Sequence, residues 1–147
     1  MTIGTRLAPL ADYAGQLEDQ AARALAASAQ ALSAMEAELA QLRAYLAEYR
    51  RSLEAGVTDA ARWRNAQSFL ARLSDAVAVK ERELQLATER HRLEVERWRA
   101  AHERSAVLDR VIERSADEER RVRGQREQHE QDELAARRGV VLGVSSR

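Results

Sequence analysis

Histidine is the residue type in this sequence best suited to metal binding or proton transfer, because its ring nitrogens ligate metals and titrate near neutral pH. The three histidines are His91, His102 and His129, separated by eleven and twenty-seven residues. These spacings form no HExxH motif and place no two imidazoles on adjacent turns of one helix. Because His91 and His102 fall on the apolar stripe of a predicted helix, we interpret them as interfacial side chains rather than metal ligands.

Other patterns that could support catalysis are also missing from the sequence. The acidic run from Asp117 to Glu119 lacks the orienting partner of a general base and is typical of a solvated helix face. The sequence contains no GxxxxGK[ST] loop for nucleotide phosphates. It also has no cysteine for a thiolate metal site or a disulfide. We therefore predict that the chain is not an enzyme and uses no metal or other cofactor.

Charge and hydropathy restrict the classes of partner. Charged residues make up 33% of the 147 residues, yet the formal net charge is zero and the two signs are interspersed. This mixture argues against nucleic acid as the main ligand and against a polybasic membrane anchor. The N-terminus lacks the apolar region of a signal peptide, and no stretch approaches the ~20 apolar residues of a membrane span. We expect a cytoplasmic protein without direct membrane insertion.

Heptad spacing predicts two long helices that would position any binding residues. In the first half of the chain, leucines recur every seven residues with a second series between them, which is typical of a coiled-coil seam. The heptad position a is held by Leu25, Leu32, Leu39, Leu46 and Leu53, and position d by Ser28, Met35, Leu42 and Tyr49. The stripe extends upstream through Leu7, Leu10 and Ala14. A second stripe runs from Trp63 to Ile112.

The segment between the two stripes predicts a turn. Gly56 suits the left-handed position after a helix, and Thr58 or Asp59 can cap the next helix. We predict helix 1 over about 5–55, a turn at about 56–58, helix 2 over about 58–137, and a disordered tail over 139–147. The expected fold class is all-α, a long antiparallel two-helix coiled-coil hairpin over 1–138 with an overhanging C-terminal helix end.

The register of the hairpin follows from folding the chain at Gly56, so that residue i faces roughly residue 112 − i. Each stripe contains one stutter, centred on Ala21 in the first helix and on His91 in the second. This register places the two stutters at the same level, which favours antiparallel pairing of the two helices. It also predicts that the first helix ends near residue 107 of the second.

Aromatic residues make up only 4% of the chain, and two of them are close together. Tyr49 occupies heptad position d, whereas Tyr45 occupies position g, outside the seam. Phe69 and Ala76 are g positions of the second helix, and the register places Tyr45 beside Phe69. Two interpretations remain open: these side chains lean inward and thicken a narrow core, or they form an exposed contact patch.

The sequence around this pair resembles the flagellar FliJ family. The resemblance rests on "LRAYLAEYRRSLEAG" at 42–56, where the tyrosine pair precedes a short turn. It also rests on "RWRNAQSFLARLSDAV", with a Phe-x-x-x-Leu-x-x-Ala run. It covers about 5–138 and is most specific over 38–80. The resemblance implies an antiparallel two-helix coiled coil, similar to the rotor stalk of F- and V-type ATPases, that belongs to the flagellar type III export apparatus.

The resemblance also implies partners. Members of the family bind the flagellar export ATPase and the cytoplasmic domain of the export gate protein, and they interact with export chaperones. They are cytoplasmic, associate peripherally with the membrane-bound apparatus, and serve flagellum biogenesis and motility. The residues that match the family's gate-binding cluster are Leu42, Tyr45, Tyr49, Phe69, Leu73 and Ala76. The ATPase contact would lie at the termini of the hairpin. The alternatives are a stalk protein of an injectisome or V-type ATPase, or a generic structural coiled coil.

Overall fold

The computed structural model describes residues 2–56 and 59–145, with side chains through residue 143. Within those ranges it contains two helices and no strand: α1 spans Ile3–Glu54 and α2 spans Ala60–Ser145. The helices pack against each other, which confirms the predicted all-α hairpin. Contacts divide the chain into two units, 17–101 and 1–16 with 102–147. We call the first the hairpin unit and the second the terminal unit.

The turn between the helices contains a glycine with a positive φ and an aspartate that caps the second helix. Gly56 has a φ of 151°, a conformation that residues with a side chain rarely adopt. The Asp59 carboxylate accepts a 3.1 Å hydrogen bond from the Ala61 N–H, so Asp59 caps the first turn of α2. The alternative cap, Thr58, lies outside the described residues.

Both helices are longer than the sequence pattern predicts. The Thr2 hydroxyl accepts a 3.2 Å hydrogen bond from the Thr5 N–H, so α1 begins at Ile3 rather than at about residue 5. The helix end predicted at about 137 is too early, because α2 continues through Ser145. The tail predicted to be disordered over 139–147 is therefore helical over 139–145. Glycine costs a helix only about 1 kcal/mol and α2 contains no proline, so the sequence has no strong stop there.

The seam of the hairpin unit follows the predicted heptads. Its buried cluster consists of side chains from a and d positions of both helices, namely Leu39, Leu46, Leu73 and Val77. Partly buried side chains pack around this cluster, namely Leu42, Phe69, Leu70 and Leu84. Because the core is one seam wide, most seam residues remain partly accessible, as expected for two helices without a third layer.

The predicted register is wrong by nearly one heptad. Ser28 Oγ lies 2.9 Å from His91 Nδ1, and Lys80 Nζ lies 3.2 Å from Glu38 Oε2. Facing residue numbers therefore add to about 118, not 112. As a result, Ala21 and His91 are not level and the matching of the two stutters is lost. A shift of one heptad keeps every a and d residue in the seam, so the period of the pattern does not distinguish the two registers.

The terminal unit has its own short seam. Ala14 and Ser105 are buried there, whereas Leu10, which the pattern placed on the stripe, is more than half exposed. A Cβ at Gly4 would lie 3.9 Å from Ile112 Cγ2 and 3.9 Å from Ser115 Oγ. The first helix therefore ends opposite residues 112–115 rather than near 107. Beyond this point the described side chains over 120–143 are all exposed.

Neither helix, over the residues that the structure describes, contains a stretch long and apolar enough to cross a membrane.

Candidate partner-binding surface

Three of the aromatic side chains form one cluster in the hairpin unit. The ring centroids of Tyr49 and Phe69 are 4.8 Å apart, and the planes meet at 62°. The centroids of Tyr45 and Phe69 are 6.4 Å apart with the planes at 90°, and those of Tyr45 and Tyr49 are 6.5 Å apart. These are the edge-on arrangements that aromatic pairs prefer. The predicted proximity of Tyr45 and Phe69 is confirmed, and Tyr49 is closer still to Phe69. We call these three residues the aromatic cluster.

The cluster lies half inside and half outside the seam. Phe69 packs against the buried cluster, and Tyr49 is partly buried at a d position. Tyr45 is 49% exposed at a g position. Phe69 therefore fits the interpretation in which the rings thicken the core. Tyr45 fits the other interpretation, an exposed contact patch.

The other predicted binding residues differ in accessibility. Leu73 is only 8% exposed and belongs to the buried cluster, and Leu42 packs against it. Ala76 is exposed, and its g position puts it on the same side of the coil as Tyr45. Of the six predicted residues, only Tyr45 and Ala76 are exposed, whereas Leu42 and Leu73 pack in the core between the helices.

An ion-pair network continues this side of the coil beyond Ala76. The Lys80 ammonium lies 3.2 Å from the Glu38 carboxylate and 3.3 Å from that of Glu83. Lys80 is the only lysine in the sequence and occupies a d position of the seam. Its hydrogen bonds to Glu38 and then to Glu83 raise the pKa of Lys80 above its usual value. The ammonium is therefore held between carboxylates of both helices.

On the opposite side of the seam, an ion pair joins the two helices. Arg43 Nη2 lies 3.1 Å from Glu81 Oε1, and both residues occupy e positions. Both side chains are about half exposed, so the pair adds little to stability. The pair was not predicted from the sequence, where the register at Gly56 puts residue 43 opposite residue 69. Both sides of the coil thus have a cross-helix ion pair, and the aromatic rings lie on the g side.

His91 makes a hydrogen bond across the seam. Ser28 Oγ lies 2.9 Å from the Leu25 carbonyl, to which it donates, and 2.9 Å from His91 Nδ1 on the facing helix. This supports the interpretation of His91 as an interfacial side chain, whereas His102, interpreted in the same way, is exposed. Among the described residues, no three His, Asp or Glu side chains converge on a point where they could hold a metal ion.

These features define a class of protein: a helical hairpin that presents aromatic and charged side chains along a narrow coil. The sequence model of the family described as flagellar FliJ protein matches residues 3–140 of the chain. The match covers most of the 147 residues, so the chain belongs to the flagellar FliJ family. It is therefore a coiled-coil protein related to flagellar export, from a family of structural export components.

Neither the search of curated proteins nor that of solved structures finds a match.

Proposed function

We propose that this chain is a non-enzymatic adaptor and stalk of the flagellar type III export apparatus. In this role it binds the export ATPase ring and the cytoplasmic domain of the export gate protein, and it assists the delivery of chaperone–substrate complexes. It acts in the cytoplasm, peripherally associated with the membrane-bound apparatus. The observation that carries the proposal is the family match over residues 3–140, which favours flagellar export over an injectisome, a V-type ATPase or an unrelated coiled coil.

The surface proposed for the gate protein is the g side of the hairpin unit around Tyr45. Large aromatic side chains are enriched at binding hot spots, and this chain has few of them. Tyr45 is about half exposed, and its ring is supported by Phe69 and Tyr49. A ring held in place by its neighbours loses little side-chain entropy when a partner binds. Ala76 adds small apolar surface on the same side of the coil.

The surface proposed for the ATPase is the exposed part of α2 in the terminal unit. Residues 120–143 have no buried side chain, yet they include Leu134, Val140, Val141 and Leu142, each more than half exposed. Arg137 and Arg138 lie beside these apolar residues. A partner that covers this helix would bury aliphatic surface and pair with the two guanidinium groups.

A pull-down with two targets tests both surfaces. The full chain would be used as bait for the purified flagellar export ATPase and, separately, for the cytoplasmic domain of the gate protein. We expect Tyr45→Ala to weaken capture of the gate domain and to leave the ATPase unaffected. We expect the double variant Leu134→Gln, Val141→Gln to show the reverse pattern. Each variant is therefore the control for the other.

Tyr13→Ala is the matched control for the tyrosine substitution, because Tyr13 is also an exposed tyrosine of α1. Wild-type chain that captures neither target would contradict the proposed function. Equal loss of gate binding in the Tyr13 and Tyr45 variants would contradict the proposed surface. Adding a purified export chaperone with its substrate tests delivery, since we expect the wild-type chain to retain that complex as well.

A further inference from the structure

A second apolar stripe lies on α2 of the hairpin unit, outside the seam. Val79, Leu86 and Leu93 are 45%, 61% and 50% exposed, and Ala100 is also exposed. The stutter predicted at His91 is not observed, because Leu84, His91, Trp98 and Ser105, spaced by seven, are all at least partly buried. In this continuous frame the four residues of the stripe, also spaced by seven, occupy heptad position c, whereas the seam uses a and d. They extend for about 32 Å along the helix at 1.5 Å per residue. We call them the outer stripe.

The spacing of the outer stripe indicates what kind of surface could cover it. Residues spaced by seven drift slowly around a straight helix, because seven residues are slightly less than two full turns. They stay in contact along their whole length only with a partner that winds with the same heptad period. The fitting partner is therefore another long helix aligned with α2. A shallow open groove beside Leu86, bordered by Arg82, Gln85 and Glu89, gives such a helix room for a side chain.

The charges beside the outer stripe indicate the identity of the partner helix. On one flank, at heptad position f, lie Arg82, Glu89 and Glu96. On the other flank, at heptad position g, lie Glu83, Arg90 and Arg97. In each of the three neighbouring pairs the f residue and the g residue carry opposite charges. The f residue is acidic at 89 and 96 but basic at 82, and the g residue has the opposite sign each time. The outer stripe is complementary to itself.

This complementarity selects the direction of pairing. In a parallel, in-register pair related by a twofold axis along the helices, the f flank of one copy faces the g flank of the other. Every facing pair is then attractive, as for Glu89 with Arg90 of the second copy. An antiparallel pair that overlaps the whole stripe brings the f flanks together. At its centre this arrangement places Glu89 against Glu89 and Arg90 against Arg90 of the second copy, where like charges repel, whereas at its ends Arg82 faces Glu96 and Glu83 faces Arg97. Only the parallel pair is attractive at all three levels.

We propose that the chain self-associates into a parallel dimer through the outer stripe of α2. The four apolar residues of each copy face those of the other, and the f and g flanks form ion pairs on both sides. The surface is narrow, so the dimer forms reversibly and at high protein concentration. It is separate from the aromatic cluster and does not depend on the proposed function.

Sedimentation equilibrium of the full chain, over a range from about 5 to several hundred micromolar, tests the proposal. We expect a reversible monomer–dimer equilibrium. The double variant Leu86→Gln, Leu93→Gln should weaken dimerisation at least about tenfold, because two half-exposed leucines from each copy lose their apolar contacts. Leu134→Gln with Leu142→Gln, which alters exposed leucines of the terminal unit, is the matched control and should dimerise like the wild type.

A monomer throughout the concentration range would overturn the proposal. A dimer that is insensitive to the substitutions at 86 and 93, or one lost in the control variant, would overturn it as well. Charge reversal gives a second test. Arg90→Glu with Arg97→Glu should weaken the dimer, and adding Glu89→Arg with Glu96→Arg should restore it.

The direction of pairing is tested by a single cysteine, since the natural chain has none. Ala100→Cys should form an intermolecular disulfide under oxidising conditions, because residue 100 faces its own copy only in the parallel, in-register arrangement. Dimers that sediment normally yet do not cross-link at this position would overturn the parallel arrangement. Far-UV circular dichroism of each variant verifies that the helices are intact.

Discussion

Lys80 is the only lysine of the chain, and it occupies a seam position where an apolar residue would fill the core. Its ammonium is paired with Glu38 of the facing helix, and Ser28 and His91 form the second polar contact across the seam. A polar residue in a coiled-coil seam lowers stability but favours one alignment over its neighbours. These two contacts are satisfied only in the observed register, so they select it from those related by one heptad.

The raised pKa of Lys80 makes a prediction about pH. Since the pKa is raised on folding, the ion pair contributes fully to stability below the ordinary value of 10.5, and the contribution is lost as the pH rises through the raised value. Thermal unfolding of wild type and Lys80→Gln should therefore differ at neutral pH, and the difference should shrink above pH 10.5 and vanish once the pH exceeds the raised pKa of Lys80. A difference that persists unchanged at high pH would contradict this role of the lysine.

The accessible and buried members of the predicted binding set should respond differently to truncation. Leu73→Ala empties part of the buried cluster and should lower the free energy of unfolding by about 2–5 kcal/mol. Tyr45→Ala removes an exposed ring in edge contact with Phe69 and should cost only about 0.5–1.5 kcal/mol. Urea unfolding followed by circular dichroism measures both. If the two variants lost equal stability, the division of the set into core and surface residues would be wrong.

At the scale of the elements, the first turn of α2 depends on one side chain. Asp59 accepts a hydrogen bond from the Ala61 N–H, which the helix itself leaves without a partner. Asp59→Ala should lower stability by about 1 kcal/mol, whereas Asp59→Ser should retain most of the capping energy. Thermal melts of the three chains measure this effect. Identical melting temperatures for all three would mean that Asp59 does not cap the helix.

The helices themselves could be predicted from the sequence because heptad periodicity is a local property. The a and d series through Leu39, Leu46, Leu73 and Val77 identified the seam and its buried residues. Gly56, whose φ is positive, correctly marked the turn. Predicting these features requires only the residue types and their spacing along one helix.

The register could not be obtained in the same way, because it depends on which residues of two helices meet. Folding at Gly56 assumed the tightest possible turn, whereas the observed alignment differs by nearly one heptad. One signal was present in the sequence: Ser28 and His91 are polar seam residues, and aligning them gives the observed register.

Helix ends and side-chain exposure were predicted less well. The tail after residue 138 contains glycines and a short apolar run, but it has no proline to stop α2, and the helix continues through Ser145. The orientations of the aromatic side chains could not be predicted for a different reason. A g position lies at the edge of the seam, so the orientation of each ring depends on its neighbours, and Tyr45 and Phe69 adopt different ones.

At the scale of the whole molecule, the surfaces proposed for binding are separate exposed stretches of the two helices. The aromatic cluster and the outer stripe belong to the hairpin unit, and the exposed apolar residues over 134–142 belong to the terminal unit. A flagellar export adaptor that contacts a gate protein and an ATPase requires such separate surfaces. Its function would then depend on which partner occupies each one.

The most direct measurement of this role is the affinity of the full chain for the cytoplasmic domain of the flagellar export gate protein, by isothermal titration calorimetry. We predict binding by the wild type, a loss of at least about tenfold for Tyr45→Ala, as for an aromatic hot spot, and unchanged affinity for Tyr13→Ala. Circular dichroism should show the three chains equally helical. Absence of binding by the wild type, or equal affinities of the Tyr45 variant and the wild type, would contradict the proposed adaptor surface.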